Sequence, residues 1–439
     1  MQSNLENKFE NSISLEGEEV KDDSLSTNLL EEFAQKLVLS NLLKMNRGLL
    51  RVTLPGGEVV QNQSTDCEIE AEIKINSHNF FLRCVRFGAI GFAESFIANE
   101  WTTENLTDVI SWFILNSRES TVMEGSSKRS CALDLFRIFN RVSHLFRSNS
   151  KTMARKNISA HYDLSNELFE TFLDRSMTYS SALFLSKKES LESAQLNKYE
   201  RLCRSLKLEK TDHLLEIGCG WGGFAVHAAK NYGCLVTAIT ISREQYEYAS
   251  ERVAKAGLTD HVKILLKDFR DLEGKFDKIV SIEMMEALGD EHVDTFFSRC
   301  HHLLTDNGLM SLQMISSPDS RYDLLRGSVD FIQKHIFPGS LLLSIERVVR
   351  ATRKTSDFHI LELHDFAESY ALTLKIWREN FSRNIDRVRV LGFDESFIRK
   401  WLYYFSYCEA AFAMRQISVV QITLTRPNNQ FLAKERNFK

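Results

Sequence analysis

From residue 213 onward the chain alternates between short runs rich in β-branched residues and longer stretches with helical periodicity. The strand candidates are residues 213–217, 235–239, 262–266, 278–282 and 309–315. Because strand–helix–strand units join parallel strands, the alternation predicts an α/β fold whose parallel sheet carries helices on both faces. A late strand is predicted at 419–424, beyond a long helical insertion at about 322–412 that would form a cap.

Three glycines, Gly218, Gly220 and Gly222, follow the first strand candidate and precede a helical stretch. Glycines there allow a sharp strand-to-helix turn and close approach of a ligand to the backbone. A tight structural turn would explain the glycines equally well. However, the spacing is GxGxG with Glu216 on the preceding strand, which differs from the GxGxxG pattern of dinucleotide-binding loops. No Lys-Ser/Thr pair follows, which excludes a triphosphate-binding loop, and we predict a cofactor loop of another kind.

The residues after the next two strands narrow the cofactor class. The second strand runs into Thr240 and lacks the Asp or Glu that grips the ribose of NAD. Asp268 and Phe269 follow the third strand, at the edge of the sheet where α/β proteins bind ligands, and this pair suits an adenine ring. This arrangement resembles the class I S-adenosylmethionine methyltransferases, which have a Rossmann-like fold.

Two regions precede the α/β part. Residues 1–27 contain many acidic and few large apolar residues, which predicts a disordered tail. Residues 28–120 combine a helical pattern at 29–42 with alternating strand patterns on either side of a Pro55-Gly-Gly turn. They predict a small α+β accessory domain, followed by a linker at 121–157 and the catalytic domain at 158–439.

The linker is basic and has an apolar stripe at helical spacing. Eight Lys and Arg residues between 128 and 156 face a single acid, Asp134. A basic amphipathic helix of this kind lies on anionic membrane surfaces. A helix that packs its apolar face between two domains would have the same pattern, and the local basicity favours the lipid surface only slightly.

Charge and composition exclude several classes of protein. The formal net charge is −4, so no overall positive field recruits nucleic acid. Eight cysteines in 439 residues, without metal-ligand spacing, indicate neither a disulfide scaffold nor a zinc or other metal site. The N-terminus lacks the basic-then-apolar order of a signal peptide, and no apolar run is long enough to span a membrane. We therefore expect a cytoplasmic protein.

Longer motifs specify a family. They are His161-Tyr-Asp-Leu-Ser-Asn-Glu-Leu-Phe169, Met177-Thr-Tyr-Ser180, Glu192-Ser-Ala-Gln195, Ile282-Glu-Met-Met-Glu-Ala-Leu-Gly289 and Ile336-Phe-Pro-Gly339. With them the chain resembles the cyclopropane-fatty-acyl-phospholipid synthases over roughly residues 40–428, most closely their plant-type and actinobacterial branch. Mycolic acid cyclopropane synthases and benzylisoquinoline N-methyltransferases share the same core.

The resemblance implies transfer of a methylene group from S-adenosylmethionine to a cis double bond of a phospholipid acyl chain. In the family a bound bicarbonate removes the proton that must leave before the ring closes. Its ligands map onto this sequence as Ser181, Glu286, Gln313, Ile315, Tyr370 and Cys408. Ser181 stands where the family has Cys, and Gln313 stands where it has His, a change that keeps a hydrogen-bond donor but loses a group that titrates near neutral pH.

Two acids in the motif after the fourth strand have alternative interpretations. Glu286 alone would be read as an acid that complements a helix N-terminus, but the motif match assigns it to the anion site. Glu283 could lie nearby, although we expect a solvated or helix-capping carboxylate there.

The resemblance also places the cofactor. It implies Tyr179 and Ser180 at the methionine end and the glycine loop beneath it. It further implies residues near the ribose and around the adenine, namely Thr240, Ser242, Gln245, Asp268 and Phe269.

The predicted partner is therefore a membrane phospholipid, bound by a peripheral enzyme at the inner face of the membrane. The resemblance implies that residues 28–120 bind lipid, and it allows a homodimer. Three alternatives remain: the same transfer ending in a methyl- or methylene-branched chain, a small-molecule N-methyltransferase, and a lipid-binding protein without catalysis.

Overall fold

The computed structural model describes residues 23–64, 69–116 and 164–434, and within it two sheets organise the chain. The predicted linker and most of the predicted tail lie outside these residues. Helix α1 begins at Asp23, six residues before the helical pattern read from the sequence at 29–42. Among the described residues no helix is both long and apolar enough to cross a membrane.

The N-terminal unit packs three helices on a mixed four-stranded sheet. Its elements are α1 (Asp23–Leu42), β1 (Leu49–Thr53), β2 (Val59–Gln61), β3 (Glu70–Ile75), α2 (Asn79–Ile97), β4 (Trp101–Thr102) and α3 (Leu106–Leu115). The strand order is β2-β1-β3-β4, with β1 and β3 parallel and the outer pairs antiparallel. The alternation of β3 is explained by its burial, since Ala71, Ile73 and Ile75 face the core. Trp101 lies in β4 and is fully buried.

The second unit begins with α4 (Asn166–Phe169) and α5 (Leu191–Ser205) and then alternates as predicted. Its first part comprises β5 (His213–Ile217), α6 (Gly223–Tyr232), β6 (Leu235–Thr240), α7 (Arg243–Lys255), β7 (Val262–Leu266), β8 (Phe276–Ile282), α8 (Asp290–Leu303) and β9 (Leu304–Ser317). These five strands are mutually parallel, in the order β9-β8-β5-β6-β7. The five predicted strands are confirmed, and β8 and β9 begin earlier than predicted.

The predicted cap is more than helical. The elements after β9 are α9 (Tyr322–Arg326), α10 (Phe331–His335), β10 (Leu343–Ser344), α11 (Ile345–Thr355), β11 (His359–Asp365), α12 (Ala367–Arg383), α13 (Ile385–Val390), α14 (Glu395–Ala413), β12 (Ser418–Thr425) and α15 (Gln430–Lys434). β12 pairs antiparallel with β9, and β11 pairs antiparallel with β12. β11 thus belongs to the main sheet. The helical insertion predicted at about 322–412 therefore also contains a strand, which was missed because β11 is an exposed edge strand with apolar residues on both faces instead of one.

Helix α14 joins the two units. The guanidinium of Arg399 donates to the carbonyl oxygens of Phe96 (2.5 Å) and Trp101 (3.0 Å), and it lies 4.1 Å from the centre of the Phe96 ring. Glu409 accepts a hydrogen bond from Thr107 of α3 and pairs with Arg378 of α12. The N-terminal unit is therefore fixed to the helices that cover the sheet.

Arg399→Ala is expected to destabilise the protein by about 2 kcal/mol, because two charged hydrogen bonds and a cation–π contact are lost together. The measurement is the shift in thermal melting temperature. Arg389→Ala is the matched control, since Arg389 is about half exposed and pairs with exposed acids, so its loss changes stability by less than about 0.5 kcal/mol. Equal shifts for the two variants would contradict this account of the joint.

Candidate active site

The glycine loop turns from β5 into α6 with backbone angles that favour glycine. Gly218, Gly220 and Gly222 have φ values of 85°, 50° and 80°. A Cβ on Gly218 would lie 3.0 Å from the side chain of Met284, whereas one on Gly220 would meet no protein atom within 4 Å. Gly220 therefore borders open space, and the loop forms one wall of a cleft at the carboxyl edge of the sheet.

The cleft lies where the strand order reverses between β5 and β8, the place where α/β folds bind ligands. Most of the predicted cofactor residues line it: Tyr179, Ser180, Glu216, Gly218, Gly220, Thr240, Gln245, Asp268 and Phe269. Ser242 and Gly222 do not. Ser242 caps α7, its hydroxyl accepting from the amide of Gln245, and Gly222 forms the N-terminal turn of α6. Both residues are used in starting a helix, and their role as cofactor contacts stays a prediction.

Asp268 is held by a residue that the sequence did not single out. Arg270 donates its Nε and Nη2 to the two carboxylate oxygens of Asp268 at 2.9 and 2.7 Å, and its amide also donates to this carboxylate. Arg270 itself lines the cleft. The pair fixes the position of the neighbouring Phe269 ring, which is buried against Phe296.

Gly218→Val is expected to weaken S-adenosylmethionine binding by about 10- to 100-fold, because a β-branched residue is strained at this φ and collides with Met284. Calorimetric titration measures the change. Gly257→Val serves as the control, since Gly257 also has positive φ (67°) but lies at the end of α7 with nothing within 4 Å. Loss of binding in both variants would indicate general misfolding.

Glu283 is the centre of a hydrogen-bond cluster on the floor of the cleft. Its Oε1 accepts from the amide of Ser181 (2.8 Å) and from Nε2 of Gln313 (2.7 Å), and its Oε2 accepts from the hydroxyl of Tyr370 (2.7 Å). The expectation of a solvated or helix-capping side chain was wrong. Glu283 has a φ of 49°, and this left-handed turn after β8 brings the carboxylate back over the sheet.

The cluster is rigid because its donors are themselves held. Gln313 is fully buried, donates also to the carbonyl of Ser181, and accepts from Nε2 of Gln421 at 2.9 Å. Gln421 lies opposite Gln313 in the β12–β9 ladder. Burial raises the pKa of Glu283, while its three donors and the charge of Lys198 oppose that rise.

Glu286 lies beside this cluster in a different environment. Its Oε1 accepts from the amide of Ile315 at 2.5 Å, and its buried Oε2 has no hydrogen-bond partner among the described residues. Burial and the neighbouring charge of Glu283 raise the pKa of Glu286 to about 8. At neutral pH Glu286 is therefore mostly protonated, and the negative charge of Glu283 favours this neutral form.

The side chains of two further predicted anion ligands, Ser181 and Cys408, lie outside the hydrogen-bond cluster of Glu283. The hydroxyl of Ser181 donates to the carbonyl of Ala182, so the amide of Ser181, and not its side chain, faces Glu283. Cys408 lies on α14 near Tyr370, and burial raises the pKa of its thiol. Among the described residues, neither of these two side chains forms a hydrogen bond with Glu283 or Glu286.

Aromatic side chains of the cap cover the cleft. The hydroxyl of Tyr179 lies 3.0 Å from that of Tyr404 on α14, and its ring packs 5.2 Å from Trp377 of α12. Tyr370 stacks on Phe412 with 4.3 Å between ring centres. An aromatic wall therefore adjoins the carboxylates, since Tyr370 donates to Glu283 and Tyr179 lines the cleft.

Comparison with known proteins identifies the family. Residues 149–422 match the family model described as mycolic acid cyclopropane synthetase, which is more than half of the chain. The chain belongs to this family. It is 37% identical over 355 residues to tuberculostearic acid methyltransferase UfaA1 of Mycobacterium tuberculosis, covering 78% of this chain and 80% of that one.

Two further comparisons extend this assignment. Cyclopropane-fatty-acyl-phospholipid synthase of Escherichia coli K12 is 34% identical over 357 residues, covering 81% of this chain and 88% of the relative. The structure of mycolic acid cyclopropane synthase CmaA1 complexed with SAH and CTAB aligns with a TM-score of 0.58 at 31% identity, covering 62% of this chain and 98% of CmaA1. As a member of this synthetase family the protein is an S-adenosylmethionine-dependent methyltransferase with the class I fold.

The cleft fits S-adenosylmethionine. Gly220 leaves open space that a side chain would fill, and the buried Oε2 of Glu216 has no hydrogen-bond partner among the described residues. A cationic, amine-bearing ligand would satisfy that oxygen. Asp268 and Phe269 lie at the other end of the cleft lining, where the adenine is expected.

Bicarbonate does not fit in the same way. The amide of Ser181, Nε2 of Gln313 and the hydroxyl of Tyr370 all donate to Glu283, and the amide of Ile315 donates to Glu286. A carboxylate of the chain thus occupies the donors that were predicted to hold the anion. We therefore derive no step through bicarbonate.

Proposed function

We propose that the protein transfers a methylene group from S-adenosylmethionine to a cis double bond of an unsaturated phospholipid acyl chain, forming a cyclopropane ring. The observation that carries this proposal is the Glu283 cluster, a carboxylate held by three donors at the floor of the cofactor cleft. Cyclopropanation needs a fixed base within the site, and Glu283 supplies one without an added anion.

S-adenosylmethionine supplies an electrophilic methyl group. An alkene is a weak nucleophile, so the protein must align it with that methyl and exclude water. The aromatic wall formed by Tyr179, Trp377 and Tyr404 is suited to holding an acyl chain against the cleft. Family resemblance and this wall support the acyl chain as substrate.

Proton removal is assigned to Glu283. After methyl transfer the chain carries a positive charge on one former alkene carbon. Glu283 takes a proton from the new methyl group, and the electrons of that C–H bond form the third bond of the ring. Tyr370 and Gln313 keep the carboxylate aimed at this position, and protonated Glu286 limits the negative charge beside it.

The N-terminal unit is proposed to bind lipid at the membrane surface. Its fixed contact with α14 places it beside the helices that would cover the acyl chain. The basic segment before residue 157 would add attraction to anionic headgroups. The homodimer implied by the resemblance stays a prediction.

The test is the fatty acid composition of a bacterial host that makes cis-monounsaturated phospholipids. Cells expressing the wild-type chain, Glu283→Gln or no protein are compared by mass spectrometry, before and after mild hydrogenation. The wild type is expected to yield a species heavier by one CH2 that resists hydrogenation, and the other two cultures are not. Unchanged lipids despite measured cofactor binding would contradict a phospholipid substrate and favour a soluble amine.

A methyl- or methylene-branched product is the second candidate. The observation that favours it is the 37% identity to a relative whose name is tuberculostearic acid methyltransferase. In that case a hydride shifts to the charged carbon and the new methyl loses a proton to give a methylene branch, or a chain carbon loses the proton to give a methyl-branched alkene; a saturated methyl branch then needs a separate reductant. A new species of the same added mass that takes up hydrogen would establish a branched alkene and exclude the ring.

A further inference from the structure

Lys198 is a lysine with no exposed surface, on the face of α5 that packs beneath the cleft. Its Nζ donates to the hydroxyl of Ser180 at 2.7 Å and lies 4.8 Å from the centre of the Tyr199 ring. Burying an ammonium is unfavourable unless nearby groups of opposite charge compensate it. Packing alone therefore does not explain why a lysine stands at this position.

Three carboxylates on separate elements provide the compensation. They are Glu283 after β8, Asp174 after α4, and Glu216 in β5, and their charges oppose the effect of burial on the lysine. Burial nevertheless lowers the pKa of Lys198 to about 7, so the lysine is about half charged at neutral pH and mostly charged below it. Of the three opposing charges that of Glu283 has the largest effect, and the charge of Lys198 in turn opposes the rise in the pKa of Glu283.

The same helix fixes the peptide that faces Glu283. Nε2 of Gln195 donates to the carbonyl of Ser180 at 3.0 Å, while Lys198 holds the hydroxyl of Ser180. The next residue, Ser181, donates its amide to Glu283 at 2.8 Å. The hydroxyl and the carbonyl of Ser180 are thus both hydrogen-bonded to α5, and these bonds set the direction of the Ser181 N–H.

We propose that Lys198 is a positioning residue for the carboxylate of Glu283: it anchors Ser180 beneath the site and supplies the buried positive charge that keeps Glu283 ionised. The proposal rests on the role of Glu283 as base in the proposed function. Its physical basis is that a carboxylate in a closed, apolar site gains a proton unless a cation faces it. Among the described residues, the other groups that face Glu283 are the acid Glu286 and the donors of Tyr370, Gln313 and the Ser181 amide, and none of these carries a positive charge.

The test measures the protonation of Glu283 directly, without substrate. Infrared spectra are recorded from about pH 5 to pH 7, a range in which Lys198 is at least about half charged. The carboxyl band of Glu283 is assigned by subtracting spectra of Glu283→Gln in the same background. In Lys198→Met the protonated band is expected to persist to a pH at least about one unit higher than in the wild type.

Lys198→Gln separates charge from hydrogen bonding. Gln keeps a donor for Ser180 but carries no charge, so it is expected to shift the titration of Glu283 as Lys198→Met does. It also serves if Lys198→Met fails to fold, as melting temperatures will show. Both variants are expected to bind S-adenosylmethionine within about threefold of the wild type, while kcat falls and its acid limb moves to higher pH.

Two results would overturn the proposal. One is an unchanged titration of Glu283 in Lys198→Met, and the other is a wild-type titration in Lys198→Gln. A wild-type enzyme that leaves phospholipids unchanged, with the infrared shift present, would instead contradict the proposed substrate and leave the pairing of Lys198 with Glu283 established.

Discussion

Glu283→Gln is expected to reduce turnover by about 10³-fold, within the range of about 10²–10⁴ typical for a positioned general base. Gln has nearly the same shape and can still meet Ser181, Gln313 and Tyr370, but its amide cannot accept the methyl proton. S-adenosylmethionine binding is expected to stay within about threefold, since the carboxylate lies on the floor of the cleft and the glycine loop is untouched. Single-turnover assays with phospholipid vesicles give the rate, and calorimetry gives the affinity.

The control for this variant is Glu244→Gln on the exposed part of α7, whose carboxylate accepts from Ser242 outside the cleft lining. It is expected to retain wild-type turnover. If Glu283→Gln kept more than about a tenth of the wild-type rate, Glu283 could not be the general base, since such a base contributes about 10²-fold or more.

Glu286→Gln is expected to have two effects, one on turnover and one on stability. Turnover should fall about 10- to 100-fold, because an amide in place of the carboxyl group changes the polar surroundings of the base Glu283. Cofactor binding should be normal. Activity close to that of the wild type would remove Glu286 from the mechanism.

The stability effect follows from the pKa of Glu286, raised from 4.5 to about 8. Below about pH 4.5 the folded and unfolded chains both hold the proton, and the wild type has its full stability. As the pH rises toward 8 the unfolded chain releases this proton first, so the wild type loses roughly 3–5 kcal/mol that the variant does not. Between pH 5 and pH 9 the melting temperature of Glu286→Gln should therefore rise steadily relative to that of the wild type. A pH-independent difference between the two proteins would show that Glu286 is not buried as a neutral acid.

The sequence predicts the parallel part of the sheet well because most of those strands are largely buried and most alternate with helices, the edge strand β7 being the more exposed exception. The confirmed strand β5 is one example, with four of its five residues buried. The prediction from sequence failed at β11. The residues of this strand are mostly exposed, and its place in the sheet depends on pairing with β12, more than 50 residues further along the chain. Local pattern carries no information about such a pairing.

The candidate site also has features that local sequence predicts and features that it does not. Glycine spacing and motif position located the cleft, since these are local properties of the chain. The role of Glu283 was missed because it depends on a left-handed backbone turn and on donors from three distant segments, those of Ser181, Gln313 and Tyr370. Lys198 gave no signal because a lysine in a helix is ordinarily exposed, and only the fold shows it to be buried.

The most direct test of the central claim uses purified enzyme, dioleoyl phospholipid vesicles and S-adenosylmethionine labelled with three deuterium atoms on the methyl group. If Glu283 removes a proton from the transferred methyl and the ring closes, the product resists hydrogenation and retains two of the three deuterium atoms. A product that retains all three, or one that takes up hydrogen, would contradict proton removal by Glu283 to close a cyclopropane ring.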